Sequence, residues 1–186
     1  MKTIIDLFEE SVDRFSNNPF IWEKVSDEYR STSYKESREE VYRLAAGLLG
    51  LGVKKNDKIA LLSEGRKFWV LSELAILYTG SVNIPLSIKL DGPDLQFRLE
   101  HSETTIIIVS GNQSPKIESI REKLPLLKKV IYLDSKENLG SIDLFIGDLF
   151  KIGDEFMRAN KQKLIEAYQD VKPNDYANIS YTSGTT

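Results

Sequence analysis

Four short apolar runs, set between longer stretches of amphipathic character, leave this chain few ways to fold. They are Lys58 to Ser63 (KIALLS), Val82 to Leu86 (VNIPL), Thr104 to Val109 (TTIIIV) and Val130 to Leu133 (VIYL). Each is too short for a stable helix and is dominated by apolar residues, so each suits a strand buried on both faces. Helical patterns lie between them, which is the arrangement of a parallel sheet whose crossovers cover both sides. The expected fold class is α/β, a largely parallel sheet flanked by helices.

The helices carry their own start and stop signals. Thr3 stands three residues before Asp6, and Ile4, Ile5, Phe8, Val12 and Phe15 recur at helical spacing until Asn17, Asn18 and Pro19. Phe20 to Trp22 and Tyr29 to Tyr34 read as a hairpin around Asp27 and Glu28. Ser33 and Glu36 open a second helix, whose stripe of Val41, Leu44, Ala45, Leu48 and Leu49 ends at Gly50 and Gly52. A loop at Glu64 to Lys67 leads to a third helix, Phe68 to Thr79, and a fourth runs from Gly92 to about His101. Ser114 followed by Pro115 predicts an N-cap and a helix through Ile117, Ile120 and Leu124. Asp134 to Gly140 reads as a surface connection, Ile142 to Tyr168 as helix, Lys172 to Asp175 as a turn and Asn178 to Tyr181 as a strand.

Composition removes whole classes of function. The chain has 186 residues, a length that one domain accommodates, with no repeat or linker to divide it. It has no cysteine and one histidine, so disulfide frameworks, thiolate metal sites and multi-histidine metal sites are excluded. A net charge of −3 argues against a nucleic-acid partner. No run approaches the ~18 apolar residues of a membrane span, and the first residues lack a signal peptide's apolar stretch. A cytoplasmic location is the expectation.

The most informative stretch is Thr182, Ser183, Gly184, Thr185 and Thr186, directly after the last expected strand. Hydroxyls around a glycine suit a phosphate cradle, because the glycine lets backbone N–H groups turn toward an anion. The spacing is not that of a Walker A loop, and by residue type alone a polar chain end accounts for it better. Gly47 to Gly52 (GLLGLG) ends a helix and is no dinucleotide fingerprint, and Glu36, Glu39 and Glu40 read as a solvated helix face. His101 suits the C-terminal end of a helix dipole, with no partner nearby in sequence. Arg66 and Trp69 stand where a strand hands over to a helix, a common ligand position, though structural roles fit them better.

Taken together, these residues resemble the start of an ATP-dependent acyl-adenylate-forming enzyme of the AMP-binding synthetase/ligase superfamily. Tyr181 to Thr186 (YTSGTT) matches the beginning of its phosphate-binding signature, Thr32 to Ser87 resembles its early β-α-β region, and Leu99 to Gly111 fits the next unit. Ser63, Glu64, Arg66 and Trp69 match the long-chain fatty acid–CoA ligases, while Gly65, Lys67 and Phe68 depart from them. Gly153 and Arg158 fit that branch as well.

The resemblance implies part of the large N-terminal domain of an adenylate-forming enzyme, with residues 1–186 a fragment truncated inside the phosphate-loop motif. It implies a fatty acid, Mg-ATP and coenzyme A as reactants, with an acyl-adenylate as intermediate. Thr182, Ser183, Gly184, Thr185 and Thr186 would hold the ATP phosphates, and no catalytic or metal-ligating residue would lie within the chain. A fatty-acid substrate would bring the enzyme against a membrane surface. An adenylating enzyme for another acid and a non-catalytic α/β binding module remain as alternatives, and oligomeric state is not legible.

Overall fold

The computed structural model describes residues 1–135, 139–140 and 142–182. Helix α1 spans Ile4–Phe15, and Thr3 and Asp6 close the expected capping box. A hairpin of β1 (Pro19–Val25) and β2 (Glu28–Ser33) follows as a separate antiparallel pair. Ser33 and Glu36 cap α2 (Tyr34–Gly50) in the same reciprocal way. At its far end the N–H of Gly52 reaches the Leu49 carbonyl and that of Val53 the Leu48 carbonyl. That is a Schellman closure, with Gly52 at φ 86° where an L side chain is strained. The helix-terminating reading of Gly50 and Gly52 holds.

The remaining elements alternate. They are β3 (Lys58–Leu62), α3 (Lys67–Tyr78), β4 (Val82–Pro85), α4 (Gly92–His101), β5 (Ile106–Val109), α5 (Ser114–Ile120), β6 (Lys129–Tyr132), β7 (Leu144–Phe145) and α6 (Ile146–Gln169). The five strands form one parallel sheet in the order β4-β3-β5-β6-β7. The expected α/β class is correct, and the sheet is covered on both faces. Side chains of Ile59, Leu61, Ile106, Ile108 and Ile131 join a core with α1, α2, α3 and α6. Their neighbours Ala60, Leu62, Ile107, Val109 and Val130 join a second core with α4 and α5.

Four expectations need correction. Leu144–Phe145 is a short edge strand, and the last long helix begins only at Ile146. Its backbone also breaks from helical geometry at Asn160. Helix α5 starts at Ser114 with Gln113 as its cap residue, and gives way after Ile120 to a 3₁₀ turn at Arg121–Lys123. The Asn178 to Tyr181 strand shrinks to a single parallel bridge between Asn178 and Asn83. Of the Asp134 to Gly140 connection, residues 136–138 lie outside the described residues.

Helix α6 lies hard against α2. A β-carbon at Gly153 would stand 1.9 Å from the Arg43 carbonyl oxygen, and one at Gly47 would stand 2.5 Å from the Leu149 carbonyl oxygen. Glycine is required at both places because backbone faces backbone. Beside this contact Arg43 donates from Nε and Nη2 to the two oxygens of Asp154, both at 2.6 Å, with its guanidinium over the Phe150 ring.

Candidate functional site

In a parallel sheet all strands end on one rim, and this chain leaves β3 toward β4 on one side before returning to β5 on the other. The crevice beyond such a reversal is where open α/β sheets commonly take ligands. Here the rim is polar. Arg66 donates from Nη1 to Asp134 Oδ2 at 2.8 Å, and the Gly111 N–H donates to the same oxygen at 2.7 Å. Gln113 donates from Nε2 to Glu64 Oε1 at 2.6 Å.

The electrostatics follow from those bonds. The Arg66 hydrogen bond holds the Asp134 carboxyl below its ordinary range, and Asp134 in turn raises Arg66. Burial pushes Glu64 up, but side-chain hydrogen bonds, that of Gln113 among them, outweigh it and leave the group lowered. Arg66 is thus already neutralised by a partner 68 residues away, which supports its structural reading. Trp69 packs against the first core. Glu36 serves as a cap, Glu40 pairs with Lys67 at 3.0 Å, and Glu39 is exposed, so these carboxylates form no acid–base pair.

The tail is anchored at two places. Asn83 donates its N–H to the Ala177 carbonyl at 2.9 Å, and its own carbonyl accepts from the Ile179 N–H at 2.9 Å. Ile179 and Tyr181, two residues apart as on an extended chain, both pack against the second core. The Tyr181 hydroxyl donates to the Arg98 carbonyl at 3.2 Å and lies 2.9 Å from His101 Nδ1. His101 is the last residue of α4, as expected, but it has the partner that proximity in sequence could not reveal. Beneath the bridge, Asn83 donates from Nδ2 to Glu73 at 3.2 Å, and burial raises the Glu73 carboxyl above its ordinary range despite that bond. Thr182 is exposed, and Ser183, Gly184, Thr185 and Thr186 lie outside the described residues.

Among the described residues no three histidine, cysteine, aspartate or glutamate side chains converge as a metal site. Among them, too, no helix is long and apolar enough to cross a membrane.

A polar rim beyond the reversal point of a parallel sheet, with Ala177 to Ile179 lying along its β4 edge, is the ligand-binding arrangement of an open α/β protein. The sequence matches the AMP-binding enzyme family over residues 8–186, and the chain belongs to that family. It is 34% identical over 169 residues to the uncharacterized acyl–CoA ligase YtcI of Bacillus subtilis, covering 89% of this chain and 28% of that protein. It is 24% identical over 189 residues to the long-chain-fatty-acid–CoA ligase ACSBG2 of Xenopus laevis, covering 99% and 25%. Among solved structures, a long-chain-fatty-acid-CoA ligase (FadD1) from Archaeoglobus fulgidus superposes with a TM-score of 0.79 at 19% identity, over 99% of this chain and 35% of that one. The anthranilate CoA ligase AuaEII, solved with anthranoyl-AMP, gives 0.72 at 24% identity, over 79% and 27%. The chain therefore spans about a quarter to a third of the proteins it matches.

Proposed function

We propose that this chain is the N-terminal part of an ATP-dependent ligase that activates a long-chain fatty acid and passes the acyl group to coenzyme A. The observation that carries the reading is the family match across residues 8–186. Relatives named as long-chain-fatty-acid–CoA ligases, among them those of Xenopus laevis and Drosophila melanogaster, support the choice of acid.

In this reading the carboxylate attacks the α-phosphorus of ATP, forming the acyl–phosphate bond as the bond to pyrophosphate breaks. The coenzyme A thiol then displaces AMP from the acyl carbon. The obstacle is charge, since an anion must approach a polyanion while negative charge grows on the departing pyrophosphate. Hydroxyls and backbone N–H groups already aimed at that charge lower the barrier without reorganising. Thr182, Ser183, Gly184, Thr185 and Thr186 are assigned that task toward the phosphates. The donor set, four hydroxyls around one glycine, suits a phosphate. Magnesium bound to ATP would spread the phosphate charge. The residues that bind adenine, acyl chain and coenzyme A are assigned outside residues 1–186, and work on a fatty acid would place the enzyme at a membrane surface.

The test is ATP–pyrophosphate exchange by the full-length protein with a panel of acids. Long-chain acids should drive exchange best, and preference for an aryl or amino acid would overturn the substrate assignment. Gly184→Val should cut exchange at least tenfold, because a branched side chain crowds the phosphates and opposes positive φ. Unchanged ATP kinetics in that variant would remove the motif from the mechanism. Residues 1–186 alone should catalyse no exchange.

A further inference from the structure

We infer that the last turn of α4 is a positioning clamp for the hydroxyl-rich motif, acting through Tyr181. This rests on the nucleotide reading above and assigns His101 and Tyr181 a place in it.

Tyr181 is the residue immediately before Thr182, and its side chain is held from several directions. Its hydroxyl donates to the Arg98 carbonyl at 3.2 Å, an oxygen that also accepts from the Ser102 N–H at 3.0 Å and the Ser102 hydroxyl at 2.6 Å. The same hydroxyl lies 2.9 Å from His101 Nδ1, within hydrogen-bond distance. The imidazole meets the phenol ring edge-on with centroids 5.8 Å apart, and its other neighbour is Phe97, nearly parallel at 5.6 Å. The Arg98 guanidinium lies 5.4 Å from the Tyr181 ring centre.

The backbone anchor lies further back. Asn83 binds Ala177 and Ile179 through its N–H and carbonyl, and the only ladder contact of the tail among the described residues is the Asn178 bridge. From Ser180 onward no described backbone hydrogen bond ties the tail to the sheet. The side chain of Tyr181 therefore supplies the last attachment before Thr182. A loop that stabilises developing charge must be held within a fraction of an ångström of its working geometry. Loss of one such bond should loosen the loop without unfolding the domain.

The experiment uses Tyr181→Phe, His101→Ala and their double variant in the full-length protein. A hydrogen bond of net ~0.5–1.5 kcal/mol corresponds to a roughly twofold to twelvefold effect. Each single variant should raise KM for ATP by that order, with KM for the acid and the melting temperature unchanged. The double variant should be no worse than the more impaired single one, because both remove the same contact. Amide hydrogen exchange should quicken at Ile179 to Thr182 and nowhere else. His101→Asn, which keeps a donor, should recover part of the loss.

Unaltered exchange and unaltered KM for ATP, with Gly184→Val still inactive, would overturn the clamp and leave the nucleotide reading standing. Additive losses in the double variant would overturn the clamp as well. Faster exchange in a protein that never uses ATP would overturn the nucleotide reading and with it the positioning role.

Discussion

Replacing Gly153 by alanine adds one methyl group where α6 presses closest on α2. The added carbon would lie 1.9 Å from the Arg43 carbonyl oxygen, 2.9 Å from its carbonyl carbon and 3.1 Å from the Gly47 nitrogen. All three obstacles are backbone, so no side chain can swing aside, and the helices must part by about 1 Å in an interior packed like a crystal. Overpacking of this kind costs about 1–3 kcal/mol, more where relaxation is blocked. Alanine's better helix propensity returns ~0.8–1.0 kcal/mol. The steric cost wins, and a net loss of ~2 kcal/mol is expected, equivalent to a fall in Tm of roughly 4–8 °C for a chain of this size. Urea and thermal unfolding of Gly153→Ala against the parent protein read it directly. Gly65→Ala is the control, since a β-carbon there meets nothing within 4 Å. Gly47→Ala should be similarly harmful, and the double variant less than additive, because one separation of the helices relieves both clashes. A Gly153→Ala protein as stable as its parent would refute the close approach of α2 and α6.

Two further outcomes follow from the titrating groups. Burial raises the Glu73 carboxyl, so the folded protein binds that proton more tightly than the unfolded chain. Its ionisation removes stability as pH rises from the unfolded carboxylate range through the raised folded value. Glu73→Gln should therefore stabilise the protein at neutral pH and flatten that part of the stability profile, and a variant less stable at pH 7 would contradict it. At the other extreme, burial and the Glu9 carboxylate push the Tyr78 hydroxyl upward, and burial with hydrogen bonding to Tyr168 and Glu9 does the same for Tyr42. An alkaline absorbance titration should show both ionising only as the fold opens. Ionisation of Tyr42 and Tyr78 while the protein is still folded would deny the buried cluster.

Much of this architecture is legible locally. The boxes at Thr3/Asp6 and Ser33/Glu36 announce their helices within four residues, and the runs that become β3, β5 and β6 stand out as uninterrupted β-branched and aliphatic stretches. What escapes is whatever depends on distant partners or on too few residues. A strand of two residues, Leu144–Phe145, has no period to detect and merges with the helical pattern behind it. Gly153 is visible as a residue, but the Arg43 carbonyl it must admit lies on another helix. The site is less legible still, since Asp134 neutralises Arg66 across 68 positions and Tyr181 finds His101 across 80. Family resemblance picked out the hydroxyl-rich motif, whereas residue chemistry alone did not separate it from a polar chain end.

The sheet's two-sided burial bears on how such a domain drifts. Along β3, Ile59 and Leu61 serve one core while Ala60 and Leu62 serve the other, and all are apolar. Exchanges among valine, isoleucine and leucine there change shape but not solvation, and typically cost under about 1.5 kcal/mol. Losing one residue from within a strand is a different event, because a shift of one position hands each side chain to the opposite core. Lineages of this fold are thus free to rewrite the letters of their strands while keeping each strand's register, with changes of length left to the surface connections. A TM-score of 0.79 at 19% identity is what that asymmetry would leave behind.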